Sequence, residues 1–378
     1  MRAGVFRRYL LPGFVFQSVV IAGGYGTGRE LVEFFLSYGP LAGLLAMTLV
    51  STVIWSAVCV VSFELARLFR VYDYRHFFKV LLGRWWWLFE VCYVALLLIV
   101  LAVIAAAAGE ILRDAFGLPY AVGVVGMMLA VGALVFSGTG LIERFLAGWS
   151  FVLYATYAVL FVWAVARFGP EIRAAFVAGP PVGLGWVRGG VEYAAYNLAV
   201  IPPVLFAVHH IERRREAVAA GLLAGPIAMT PALLFYVAIA GHYPAVVDEA
   251  VPATYLLDLL GSPAFFLVFQ VVLFGTLIET GTGLIHAVNE RIAGLLADRR
   301  EALPRWVRPA VALALLATGA AVARFGLVAL IARGYGTLTW GFLLVFVVPA
   351  LTVGVRIIRR HEGEPRVPAS TPPVPAAE

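Results

Sequence analysis

Ten apolar stretches, each close to the length that crosses a bilayer, follow one another along this chain, with approximate limits 12–36, 40–66, 85–111, 119–136, 145–167, 187–210, 217–240, 262–288, 309–331 and 337–357. A helix needs about 20 apolar residues to traverse the hydrocarbon core. Of the 378 residues, 62% are hydrophobic and only 13% charged. Soluble domains carry about a quarter charged residues. With a mean hydropathy of +0.93, lipid must solvate much of the surface. The expected fold class is an all-α transmembrane protein.

Arg7 and Arg8 ahead of the first apolar run resemble a secretory leader, but the run continues through Gly23 and Gly24 to about Tyr38. It reads as a retained first helix. Put the N-terminus inside, and roughly 21 of the 28 basic residues fall on inner segments, as cytoplasmic loops require. Both termini are then cytoplasmic. The net charge of +6 is spread in short clusters between spans, so nucleic acid is not an expected partner. The lipid bilayer and a small solute are. Cys59 and Cys92 lie inside apolar runs and form no metal pair. No HExxH or GxSxG motif occurs, so no enzyme is expected. No cofactor is expected either, apart from Na+ or H+ as a coupling ion.

Residues 69–84 are expected to lie as an amphipathic helix at the inner surface. Residues 241–261 are expected to dip back as a short helical hairpin. The proline-rich segment 361–378 is expected to be a disordered cytoplasmic tail. Ten spans divide into five and five. Because five is odd, residues 1–168 and 186–358 would form two inverted repeats, with helices 1 and 6 as counterparts.

Both counterparts carry breaks. Helix 1 contains Gly23-Gly24-Tyr25-Gly26-Thr27-Gly28-Arg29-Glu30. Four glycines in six positions disfavour a helix by about 1 kcal/mol each relative to alanine. Thr27 to Glu30 also reads as a capping box, the signature of a helix start. A close-packing face at Gly24 and Gly28 would explain the glycines, but not Arg29, Glu30 and Glu33, charges inside a span that read as gating residues. Helix 6 contains Pro202-Pro203. In a continuous helix these leave the carbonyls of Leu198 and Ala199 without donors. A simple proline kink is the alternative. Tyr193, Tyr196 and Asn197 lie just before and can line a polar cavity. Helix 8 supplies Glu279, Thr280 and Thr282, and the Thr hydroxyls with freed carbonyls of helix 1 could complete an oxygen cage for a cation; a structural ion pair of Glu279 with Arg29 or Arg324 is the alternative.

The strings GGYGTGRELVEFF, YNLAVIPPVLF and ETGTGLIHAVNERI resemble the YkvI-type membrane proteins of bacteria, in the amino acid–polyamine–organocation superfamily. The resemblance covers about residues 5–358 and implies a ten-helix LeuT-type inverted repeat in the bacterial cytoplasmic membrane. It implies a moving bundle of helices 1, 2, 6 and 7 and a scaffold of helices 3, 4, 8 and 9. Substrate would bind at Gly24, Tyr25, Gly26, Thr27, Tyr196, Asn197 and the turn before Pro202, and a cation near Ala22, Gly23 and Thr280. Two departures stand out: Glu279 adjoins the position where hydroxyls are expected, and helix 3 has no central tyrosine.

The function expected is secondary active transport of a small polar organic solute, an amino acid or relative, coupled to Na+ or H+. The alternative is a solute-sensing receptor with the same architecture and no net transport. A channel is disfavoured: the two GYG triplets, 24–26 and 334–336, are expected mid-span and in a short outer connection, whereas a potassium filter needs four symmetric loops.

Overall fold

The structure, a computed structural model, describes residues 4–21, 23–136, 139–298, 304 and 306–363. The described residues are almost entirely helical. The first segment comes in three pieces, α1 (Leu11–Val20), α2 (Gly23–Thr27) and α3 (Arg29–Phe34). Then come α4 (Pro40–Phe69), the short α5 (Tyr74–Leu82), α6 (Trp87–Phe116), α7 (Tyr120–Phe136) and α8 (Thr139–Ala178). The sixth segment is α9 (Gly185–Asn197) followed by α10 (Ile201–Val204). The chain ends with α11 (Arg214–Ala240), α12 (Pro252–Leu260), α13 (Pro263–Asp298), α14 (Val307–Ala323) and α15 (Leu327–His361). Six of these are long and apolar enough to cross a membrane: α4, α6, the 152–178 part of α8, α11, the 263–285 part of α13, and α15. The apolar helices α7 and α14 are shorter, at 17 residues each. The protein is a multi-pass membrane protein.

Packing divides the helices into two groups. α11 lies along α4 and α1, and α9 packs on the first turns of α4. Separately, α6 packs on α7 and α14, and α13 closes against α6, α7 and α8. The first set corresponds to helices 1, 2, 6 and 7 of the resemblance and the second includes helices 3, 4, 8 and 9, while α8 touches both. Small residues set the first group's spacing. A Cβ at Gly221 would lie 2.5 Å from the Val60 backbone, and one at Gly225 would lie 2.3 Å from Ser56 Oγ. Backbones that close can gain dispersion contacts that lipid does not supply.

The amphipathic helix appears as α5. Asp73 caps it by accepting from the His76 amide. Its buried face, Phe77, Phe78 and Leu81, meets Phe89 and Phe346; Phe78 stacks on Phe89 with centroids 3.6 Å apart. The 241–261 segment folds as a 3-10 turn, Ala245–Asp248, and α12. The tail beyond Gly363 lies outside the described residues.

Some limits differ from expectation. Both α8 and α13 run ten or more residues past their apolar stretches, α8 through a non-helical Phe168. Polarity marks where lipid ends, not where a helix must. The ninth and tenth segments meet at Arg324–Gly326, where Gly326 has φ +79°, and not near 331–337. The second GYG is therefore inside α15.

Candidate functional site

The first segment breaks twice, on either side of the Gly23–Thr27 turn. Ile21 leaves helical geometry at φ −74°, ψ 87°, and Gly28 adopts φ +81°, ψ −6°. That left-handed conformation costs an L-residue about 1–2 kcal/mol, which glycine escapes. The expected open stretch over 23–28 is thus a short helical turn between two hinges. The capping box is also replaced. Gly28 is the N-cap of α3, and Thr27 Oγ1 accepts from the Arg29 amide at 3.3 Å. The Glu30 carboxylate accepts from the Tyr196 hydroxyl instead of a backbone amide. Gly26 offers its carbonyl to the Tyr157 hydroxyl of α8 at 2.6 Å, so a neighbouring helix satisfies backbone that the hinge exposes. Ala22 lies outside the described residues.

The sixth segment does not open into extended chain. After Asn197 it tightens into a 3-10 turn over Leu198–Val200, and the Ile201 amide donates to Leu198 O. Pro202 then sits in the first turn of α10, where no amide donor is needed. The Leu198 carbonyl, expected to be orphaned, has found the amide three residues on instead of four. The Asn197 side chain donates back to Tyr193 O at 3.0 Å.

Glu30, Tyr193 and Tyr196 come together between these two interrupted segments. Tyr196 donates its hydroxyl to Glu30 Oε2 at 2.5 Å. Glu30 is 2% exposed, Tyr193 0% and Tyr196 4%, so the group is buried. Tyr193 is edge-on to Phe35 at 4.7 Å and tilted against Trp55 at 5.6 Å. Tyr335, from the GYG of α15, stacks on Tyr196 at 4.7 Å. Tyr25, on α2, has its ring 6.3 Å from that of Tyr157. The hydroxyls of Tyr25 and Tyr193 are buried and have no hydrogen-bond partner among the described residues.

A cavity of about 260 Å³ opens beside Tyr25. Gln17, Ile21, Tyr154, Tyr157 and Phe235 are among its walls, from α1, the first hinge, α8 and α11. A larger space of about 380 Å³ lies between α6 and α13. Its walls are almost wholly apolar and include none of the hinge residues, so the smaller one is the site of interest.

Arg29 is not part of the tyrosine cluster. It reaches Glu33 at 2.8 Å and donates to the carbonyls of Val247 and Glu249 at 2.7 and 3.0 Å. It thereby ties α3 to the loop before α12. Arg8 makes the matching tie at the other end of the bundle, to Glu216 at 2.8 Å and Glu212 at 3.0 Å. Arg29 and Glu33 thus lie at an end of the bundle, while Glu30, grouped with them in the sequence, lies inside it.

On α13, Thr280 Oγ1 donates to Thr276 O at 3.0 Å, and Thr282 Oγ1 is buried without a partner among the described residues. Glu279 is half-buried and within electrostatic range of Tyr154. α13 and α6 both pack on the Gly23–Thr27 turn. Trp55, Tyr154, Tyr157 and Tyr335 were not anticipated at the site. Only Tyr335 carried a signal, its GYG repeat of 24–26.

No family model matches the chain. It is 23% identical over 287 residues to the uncharacterized membrane protein YkvI of Bacillus subtilis (strain 168), covering 75% of this chain and 80% of YkvI. Among solved structures it superposes on the inward-facing conformation of Mhp1 with a TM-score of 0.55, at 15% identity, over 93% of this chain and 77% of Mhp1. It superposes on MhsT in complex with L-phenylalanine with a TM-score of 0.54, at 14% identity, over 93% of this chain and 97% of MhsT. The chain is therefore similar to YkvI over most of its length and has the LeuT-type helical fold.

Proposed function

We propose that this chain is a secondary transporter that moves a small polar organic solute, an amino acid or relative, by alternating access. The observation that carries this reading is the pair of buried, unpartnered hydroxyls of Tyr25 and Tyr193 beside the interrupted first and sixth segments. A buried polar group without a partner costs about 1–3 kcal/mol, and a solute hydrogen-bonding there would recover that cost. Residues 1–168 and 186–358 act as the two inverted repeats, with their breaks at corresponding positions. Gly24, Gly26 and Thr27 frame the solute by backbone, and Tyr25, Tyr193, Tyr196 and Asn197 by side chain. Na+ or H+ couples the cycle. Gly23, Glu279, Thr280 and Thr282, with Ala22, would supply the oxygens for a cation, and the buried Thr282 hydroxyl fits that role. Arg29 and Glu33 gate one end. The carrier works in the bacterial cytoplasmic membrane with both termini inside.

The test is flux. The full chain, reconstituted in vesicles, is offered amino acids, amines and organic acids under an imposed Na+ or pH gradient. Saturable accumulation that collapses with the gradient is expected. Saturable binding with no accumulation would instead make the chain a receptor.

A further inference from the structure

The carboxyl of Glu30 has unusual company. It lies in the first turn of α3, is 2% exposed, and has one polar contact, the Tyr196 hydroxyl at 2.5 Å. The titratable groups among the described residues that feel its charge include four tyrosines: Tyr25 on α2, Tyr193 and Tyr196 on α9, and Tyr335 on α15. Among the described residues no cation pairs with it. Its neighbour Arg29 is held by Glu33 and two carbonyls. Arg188 is held by Glu192 on α9. Arg333, on α15, makes no ion pair with it, and Asp248 and Glu249, in the loop that approaches α3, are themselves acidic. An ionised carboxylate in such a place, with one neutral hydrogen bond, is costly, and groups so placed neutralise instead.

We propose that Glu30, held by Tyr196 between the first and sixth segments, is the proton-binding site of the carrier. It keeps a proton on Oε1 while the segments are closed and releases it when they part. The balance is simple. The Oε1–H bond breaks, the proton passes to water entering between α3 and α9, and the carboxylate left behind keeps the Tyr196 hydrogen bond. The site rests on the carrier reading for its use but not for its existence. It differs from the Glu279 cluster, which lies on α13.

Infrared spectroscopy of the full chain in phosphatidylcholine vesicles tests the site without any solute. At pH 7 the difference spectrum between the wild-type chain and Glu30→Gln should contain the carbonyl band of a neutral carboxylic acid. Tyr196→Phe should move that band to higher frequency, because a carbonyl that loses a hydrogen bond stiffens. If Glu30→Gln fails to fold, the wild-type and Tyr196→Phe spectra alone decide the matter. A difference spectrum with no neutral-acid band, or a band that Tyr196→Phe leaves in place, overturns the proposal. A second arm measures vesicle pH with an entrapped dye while a mixture of amino acids is added. Proton movement with solute in the wild-type chain, lost in Glu30→Gln, is expected. Solute flux that moves protons equally in both overturns Glu30 as the coupling group while leaving the carrier reading intact. If no amino acid moves, the carrier reading fails for that class, and the proton site stands or falls on the infrared band.

Discussion

The two unpartnered tyrosine hydroxyls can be told apart from ordinary core groups by what their removal does. Tyr25→Phe or Tyr193→Phe should leave the solute-free chain as stable as before or slightly more so, since each deletes a buried hydroxyl with no partner. The same change should weaken solute binding roughly five-fold, the equivalent of one hydrogen bond of about 1 kcal/mol. Thermal shift with and without solute separates the two effects; a loss of stability with unchanged affinity would count against the assignment. A second residue outside the spans responds to pH. Burial against Phe168 holds the His242 imidazole below its usual range, with Glu171 pulling weakly the other way. The docked loop therefore favours neutral His242. The loop should lose its hold as pH falls below 6.5, the ordinary imidazole value, because the released state then binds the extra proton. Hydrogen exchange across 241–261 should quicken with acidification, and His242→Gln should flatten that response.

At the scale of helices, the hinge at Gly28 is the most exposed to test. Gly28→Ala puts an L-residue at φ +81° and a methyl 3.1 Å from the Phe235 ring. It should cost about 1–2 kcal/mol, seen as a lower melting temperature, and should disturb the cluster around Glu30. The interruption of the first segment was legible in the glycine run, because glycine density and buried charge are written in the chain. The placement of the two hinges was not, because it depends on Tyr157 reaching Gly26 O from α8, a contact no local pattern records. The sixth segment shows the complementary limit. Pro202-Pro203 announced a missing donor, but the chain retained a donor for Leu198 by changing pitch instead of unwinding. Tyr335 was expected in an outer connection and lies inside α15, because the ninth and tenth segments, both apolar, hid their connection at Gly326.

The whole molecule is fastened at both ends at once. Arg8 binds Glu212 and Glu216 at one end, and Arg29 binds Glu33 and the loop carbonyls at the other. A carrier that alternates must release one while keeping the other. With Ala158→Cys as a reporter in the cavity wall, Arg8→Gln should raise labelling from the Arg8 side, and Arg29→Gln should lower it. Equal labelling from both sides in both variants would argue against alternation. The spacing of the first group of helices has a further test: Gly225→Leu should overfill the α4–α11 seam by about 1–3 kcal/mol, read as a fall in melting temperature. The face-to-face meeting of Tyr335 and Tyr196 bears on speed. α15 belongs to neither group of four, yet it rests an aromatic plate on the segment expected to move. Each cycle must peel those plates apart and lay them back, so the last helix acts as a damper, and Tyr335→Ala should turn over faster while leaking more.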